Sequence, residues 1–156
     1  MKRYVGALLL VIFSGLLSAA AWPAAAEKTA AEKPPAVSKP DDAAATARDQ
    51  LGIEIMAIHL SQGGNVLDLR YKVLDPVKAH DFLSRHLSPY MKDPATGARL
   101  SVPDMPNVGA LRQTAVAPQA GKVYFILFWN PGGLVKLGQK VDLVLGGTTV
   151  RDLVVG

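Results

Sequence analysis

The chain has 156 residues, of which 49% are hydrophobic, 17 are basic and 13 are acidic. It contains no cysteine. This excludes disulfides, thiolate catalysis, thiolate metal sites and the acylated cysteine of a bacterial lipoprotein. The small positive net charge, with both signs mixed along the chain, does not indicate a nucleic-acid-binding protein.

The first 26 residues have the layout of a secretory signal peptide. Met1-Lys2-Arg3 is positively charged, residues 5–17 form an apolar run, and Ala24-Ala25-Ala26 supplies a small-residue cleavage site. We therefore expect export to the periplasm or secretion, with cleavage after Ala26. An uncleaved N-terminal anchor is the alternative, because the apolar stretch approaches the roughly 20 residues that a spanning helix needs. Cleavage removes two basic residues and no acidic one, which lowers the net charge from +4 to +2.

Residues 27–48 have the composition of a flexible tether. They are mostly Ala, Lys, Glu, Pro and Asp, and Pro34-Pro35 and Pro40 disfavour regular structure. Such a segment cannot bury enough apolar surface to offset the entropy lost on ordering. Its alanine-rich end, residues 41–49, can form one or two helical turns. Residues 49–156 then make one domain, which is long enough to build a core without disulfides.

Alternating apolar and charged residues predict a β-hairpin at the start of this domain. In the segment 66–73, Leu67, Leu69 and Tyr71 share one face, and charged residues occupy the other. The isoleucine-rich segment 53–60 precedes it, and the glycines of residues 61–65 favour a tight connection between the two strands.

The middle of the chain predicts one short helix. Asp75 is a suitable N-cap with Pro76 at the first helical position, and Ser88-Pro89 ends the helix. The apolar stripe of this helix is expected to comprise Ala79, Phe82, Leu83, His86 and Leu87. Residues 90–92 and 98–102 flank a turn sequence, and residues 111–117 are predicted to form a further strand.

Residues 123–129 are apolar at every position, which predicts a strand at the centre of a sheet with both faces covered. Residues 140–145 and 148–155, joined by Gly146-Gly147, predict a terminal hairpin. About seven short strands and one helix favour an all-β fold. We predict an immunoglobulin-like β-sandwich with the helix inserted between its second and third strands.

Two segments resemble a group of uncharacterised exported proteins of Gram-negative bacteria. One runs from Phe128 to Gly147 and includes Phe-Trp-Asn-Pro-Gly and Val-Lys-Leu-Gly-Gln-Lys-Val-Asp-Leu-Val-Leu-Gly-Gly. The other runs from Leu67 to Asp75, and the likeness spans most of residues 52–155. The resemblance implies a periplasmic location but no activity, and it transfers no functional residue.

Histidine and methionine are the candidate metal ligands, because imidazole and thioether groups suit copper. Met56 and His59 lie on opposite faces of a strand, so neither residue gains a local partner. A copper site therefore requires residues that the fold brings together, such as His59 with Met91. The simpler interpretation is that Met56 and Met91 fill the core and that His86 completes the helical stripe.

Trp129 and Asn130, at the end of the apolar strand, are the candidate partner-binding residues, since exposed tryptophan is typical of binding surfaces. The alternative is that the aromatic residues of this strand belong to the core. No catalytic motif is present, and Asp68, Asp75 and Asp81 are close only in sequence.

We therefore expect an exported, non-catalytic accessory or binding module that acts on an envelope protein or a small ligand and needs no cofactor. The alternatives are a periplasmic copper-binding protein that uses histidine and methionine, and an enzyme whose site is assembled by the fold.

Overall fold

The computed structural model describes residues 40–156. The predictions of a signal peptide and of a tether over residues 27–39 lie outside these residues.

In chain order the described part contains α1 (Pro40–Leu51), β1 (Ile53–Ser61), β2 (Val66–Val73), α2 (Pro76–Leu83), β3 (Tyr90–Lys92), β4 (Arg99–Ser101), β5 (Asp104–Met105), β6 (Gly109–Ala110), β7 (Val123–Trp129), β8 (Lys140–Leu145) and β9 (Thr148–Val154). The strands form three antiparallel sheets, with orders β1-β2-β7, β4-β3-β8-β9 and β5-β6. The prediction of a mostly β fold is confirmed.

Helix α1 lies in the segment that was predicted to be a tether. Ala43, Ala47 and Leu51 recur every four residues, and all three are buried. Their face packs against β9 and β1. One or two helical turns were expected over residues 41–49, but α1 is longer, at 12 residues, and its buried face makes it part of the domain instead of a flexible tether. Small alanine side chains allow this helix of low overall hydrophobicity to lie close to a sheet.

The β1–β2 hairpin forms as predicted, with Ile53 opposite Val73 and Ser61 opposite Val66. A bulge between Ile55 and Ala57 interrupts the register. Met56 occupies this bulge and is 58% exposed. The interpretation that Met56 fills the core is therefore wrong, since the bulge turns its side chain away from the buried face.

Strand β2, and not β7, is at the centre of the first sheet. The buried residues of β7 alternate, because Tyr124, Ile126 and Phe128 face the core. Its other edge is covered by residues 111–113: the Leu127 amide donates to the Leu111 carbonyl at 2.9 Å. The central position predicted for β7 is thus wrong, and so is the prediction that both of its faces are covered, because the outward side chains at the two ends of the strand are exposed.

The strand predicted over residues 111–117 is also wrong. Arg112 forms a single antiparallel bridge with Ile126. The chain then leaves β7 and meets the end of α2, where the Ala115 amide donates to the Leu83 carbonyl at 3.2 Å. The segment therefore links the edge of the first sheet to α2.

Helix α2 starts as predicted and ends early. The Asp75 carboxylate accepts hydrogen bonds from the Val77 and Lys78 amides at 2.9 and 3.3 Å. The helix ends at Leu83, and the Ser84 hydroxyl donates to the Asp81 carbonyl. His86 and Leu87 lie beyond the helix and are exposed, so the buried stripe contains only Ala79, Phe82 and Leu83.

The second large sheet contains two predicted hairpins, β3–β4 and β8–β9. The first is closed by Asp93, which is buried and whose carboxylate accepts from the Ala95 amide and the Thr96 hydroxyl. Both large sheets and both helices contribute side chains to one hydrophobic core. Neither helix of residues 40–156 combines the length and the apolar character that crossing a bilayer requires.

Gly52 joins α1 to β1 in the left-handed region, with φ of +63°. Its carbonyl accepts from the Leu74 and Asp75 amides at 2.8 and 3.0 Å. A Cβ at this position would lie 2.7 Å from the Asp75 carbonyl oxygen. Glycine is therefore required both by the backbone conformation and by the close approach of the segment that begins α2.

Candidate functional site

The outward side of β7 carries a row of apolar side chains that we call the outer row: Val123, Phe125, Leu127 and Trp129. Val123 is 44% exposed and Trp129 is 48% exposed, and the two residues between them are half-buried. The row runs beside a mostly polar row of β2, in which Lys72, Arg70, Asp68 and Val66 are the respective partners. The sheet thus presents an apolar stripe along one side of a charged stripe.

The charged stripe is internally neutralised. The Arg70 Nε and Nη2 atoms donate to the two Asp68 carboxylate oxygens at 2.9 and 2.7 Å, and the hydrogen bond to Asp68 raises the Arg70 pKa. The Arg70 guanidinium also lies 5.2 Å from the centre of the Phe125 ring. Lys72 is 3.8 Å from Glu54, its partner on β1, so these two residues form a cross-strand ion pair.

Trp129 lies at the end of β7, on the outward side, opposite the buried Val66. Its exposure leaves the indole accessible to a partner, as the prediction for this residue requires. Whether a partner binds there stays a prediction.

Asn130 is different, because its side chain is wholly buried. Its amide nitrogen donates to the Gly64 and Val135 carbonyls, both at 2.8 Å, and its oxygen accepts from the Val135 amide at 2.9 Å. All of these contacts are internal, so Asn130 has no polar group left for a partner. Asn130 was predicted to contact a partner, but its hydrogen bonds give it a structural role. It holds the loop after β7 against the β1–β2 hairpin.

The two candidate copper ligands lie in different environments. Met91 is fully buried in the core, whereas His59 is exposed on β1, paired with Asp68 on the outward side. The His59 Nδ1 atom is 3.3 Å from the Gly156 carbonyl oxygen. The fold does not bring these two side chains together. Among residues 40–156 there is also no group of three His, Asp or Glu side chains placed to hold a metal. Copper binding itself remains an untested prediction.

The three carboxylates that are close in sequence each contact a different group. Asp68 binds Arg70, Asp75 caps α2, and Asp81 lies 3.3 Å from the His80 ring. No two of these contacts share a partner. The enzyme alternative therefore gains no support from these side chains.

A buried polar pair was not predicted from the sequence. The Tyr71 hydroxyl and the Arg112 Nη1 atom are both buried and have no hydrogen-bond partner in residues 40–156. Burial raises the Tyr71 pKa and lowers the Arg112 pKa, and the two groups interact electrostatically. In the sequence, the Tyr71 hydroxyl is the one polar atom expected on the buried face of β2, and it could have indicated a polar group in the core. No sequence pattern marks Arg112 as its neighbour.

No family model, no curated protein and no solved structure matches this chain.

Proposed function

We propose that this protein is an exported, non-catalytic binding module that contacts another protein of the bacterial envelope through the outer row of β7, with Trp129, at one end of the row, as the main anchor. The observation that carries this proposal is the apolar stripe itself. Four successive outward side chains of one strand are apolar, and both ends of the stripe are about half exposed. Contiguous exposed apolar surface of this kind marks interaction sites, and tryptophan is enriched among the residues that dominate binding energy.

The proposed fold of this module is an immunoglobulin-like β-sandwich, and the strand order supports it. If the seven strands of the two larger sheets are counted in chain order, the first, second and fifth share one sheet, and the third, sixth and seventh share the other. Strands A, B, E and C, F, G divide in this way in immunoglobulin domains. The fourth strand here pairs with the third, as strand C′ does in the variable type. Domains of this architecture serve many functions, so the fold alone assigns none.

The hydrogen bonds around the outer row support the proposal that this surface is already ordered before a partner binds. The outer row lies on a regular strand that is paired with β2 along its whole length. Asn130 fixes the chain directly after Trp129 through two buried hydrogen bonds and one partly buried hydrogen bond of its side chain. A side chain held in this way loses little conformational entropy when a partner binds.

Site-specific photo-crosslinking in the producing cell tests the proposal. A photoreactive amino acid in place of Trp129 is expected to give one discrete adduct with an exported protein, and the same amino acid in place of the exposed Lys92 on β3 is not. Adducts of equal yield from both positions, or none from position 129, would overturn the proposal. An adduct of twice the mass of this chain would show that the partner is a second copy of this protein and not another envelope protein.

Two matched substitutions distinguish specific binding by the outer row from nonspecific crosslinking at position 129. With the crosslinker at position 129, Val123→Lys is expected to lower the adduct yield several-fold, because it charges the opposite end of the row. Val154→Lys is the control, since Val154 is 55% exposed on β9 in the other sheet. Equal yields from the two variants would contradict the proposed surface.

A further inference from the structure

A second surface, independent of the outer row, lies where α2 ends. It is a cleft of about 330 Å³ between residues 80–86 and residues 114–116. Two contacts hold its walls together: the Ala115 amide donates to the Leu83 carbonyl, and the Arg112 Nη2 atom donates to the Ser84 carbonyl. The cleft is therefore bounded by two segments that are tied to each other.

The polar lining of this cleft is basic. His80, Arg85 and His86 contribute to it, together with Thr114, and no lining residue is a carboxylate. Within residues 40–156 the side chains of Arg85 and His86 make no ion pair or hydrogen bond. His80 has one acidic neighbour, Asp81 at 3.3 Å, whose side chain is largely exposed to solvent. Arg85 thus places a positive charge on the cleft wall, and no carboxylate that lines the cleft compensates it.

A second guanidinium lies behind the cleft wall. Arg112 reaches the Ser84 carbonyl, has no carboxylate partner among the described residues, and buries its Nη1 atom without a hydrogen bond. A guanidinium removed from water without a counter-ion carries a large desolvation cost, and an anion held nearby reduces that cost. Arg112 is half-buried as a residue, but its Nη1 atom is shielded from solvent, so this observation is independent of the exposed Arg85 and His86 on the rim.

We propose that this cleft binds a small ligand through an oxyanion group, with Arg85 as the direct contact and Arg112 supplying positive potential from behind Ser84. A planar guanidinium binds carboxylate and phosphate oxygens in a bidentate manner, and the Thr114 hydroxyl provides a further donor. The volume suits a small molecule. Carboxylate and phosphate ligands share this chemistry, and the experiment distinguishes them.

Titration of the ¹⁵N-labelled protein by NMR tests the site, with inorganic phosphate and acetate as separate probes at constant ionic strength maintained with chloride. We expect saturable shifts confined to the Thr114 and Ala115 amides and the Arg85 Nε signal. The oxyanion that saturates at the lower concentration identifies the preferred class. Shifts that chloride reproduces, or that never saturate for either probe, would overturn the proposal.

The matched variants are Arg85→Gln and Arg151→Gln. Both arginines are exposed, and Arg151 lies on β9, away from the cleft. Arg85→Gln is expected to weaken binding of the preferred probe at least five-fold, whereas Arg151→Gln leaves it unchanged. Thr114→Val provides a second, uncharged test and is expected to weaken binding two- to three-fold. Equal affinity in the Arg85 variant and the unsubstituted protein would contradict the assignment.

Discussion

The side-chain amide of Asn130 donates a 2.8 Å hydrogen bond to the carbonyl oxygen of Gly64, which lies 66 residues earlier in the chain. Two further hydrogen bonds from the same side chain join it to the backbone of Val135. One buried amide therefore connects the β1–β2 hairpin to the loop that follows β7. This arrangement fixes the chain next to Trp129, the anchor of the proposed binding surface.

Replacing Asn130 by alanine is expected to lower the free energy of unfolding by about 3 kcal/mol, because it leaves the buried backbone groups of Val135 and the partly buried carbonyl of Gly64 without partners. Asn65→Ala is the control, since that exposed amide makes one 3.2 Å bond to the Gln62 carbonyl and its loss is expected to cost less than about 1 kcal/mol. Urea denaturation measures both. Equal losses in the two variants would show that the buried amide is not important for stability.

Gly52 provides a second prediction, because a Cβ there meets the Asp75 carbonyl. Gly52→Ala is expected to destabilise the fold by about 3 kcal/mol or more, from the left-handed backbone and the steric contact together. Gly146 has a similar φ of +55° but nothing within 4 Å of the added Cβ. Gly146→Ala is therefore expected to cost only about 1 kcal/mol. A smaller loss at Gly52 than at Gly146 would contradict the close packing of Gly52 against Asp75.

Helix α1 gives a third prediction, which tests whether residues 40–48 belong to the domain. Ala47 is fully buried and Ala45 is exposed on the same helix. Ala47→Asp is expected to release α1 from the sheet, because it places a charge and extra volume in the core. Ala45→Asp changes helix propensity and charge equally and is expected to leave the helix docked. Amide hydrogen exchange of residues 43–51 measures this, and similar protection in both variants would argue against docking.

The sequence predicts features that neighbouring residues encode and misses those that depend on distant ones. Alternation in β2 and the Asp75-Pro76 start of α2 require only local chemistry, and both are confirmed. The edge position of β7 could not be predicted, because it depends on whether residues 111–113 cover the second edge. In the same way, the burial of Asn130 depends on carbonyl groups of Gly64 and Val135 that only the folded chain brings together. Trp129 was identified as a candidate contact because an aromatic residue at a strand end is itself a local signal.

The buried hydroxyl of Tyr71 gives a prediction about alkaline pH. Burial raises the Tyr71 pKa above its ordinary value of 10.0, so the native state retains this proton at a pH where the unfolded chain loses it. The native state then binds more protons than the unfolded state, and the free energy of unfolding falls as the pH rises above about 10. Below that pH both states retain the Tyr71 proton, so this titration does not lower the free energy of unfolding.

Tyr71→Phe removes this titration and an unpartnered buried hydroxyl, while the ring can still contact Phe82 at an interplanar angle of 72°. We expect the variant to match the unsubstituted protein at pH 7 to within about 1 kcal/mol. Between pH 9 and pH 11 its stability is expected to decline less steeply. Urea denaturation at several pH values checks the slope, and phenolate absorbance identifies the proton that is lost. An identical alkaline slope in both proteins would mean that the Tyr71 hydroxyl titrates in the native state.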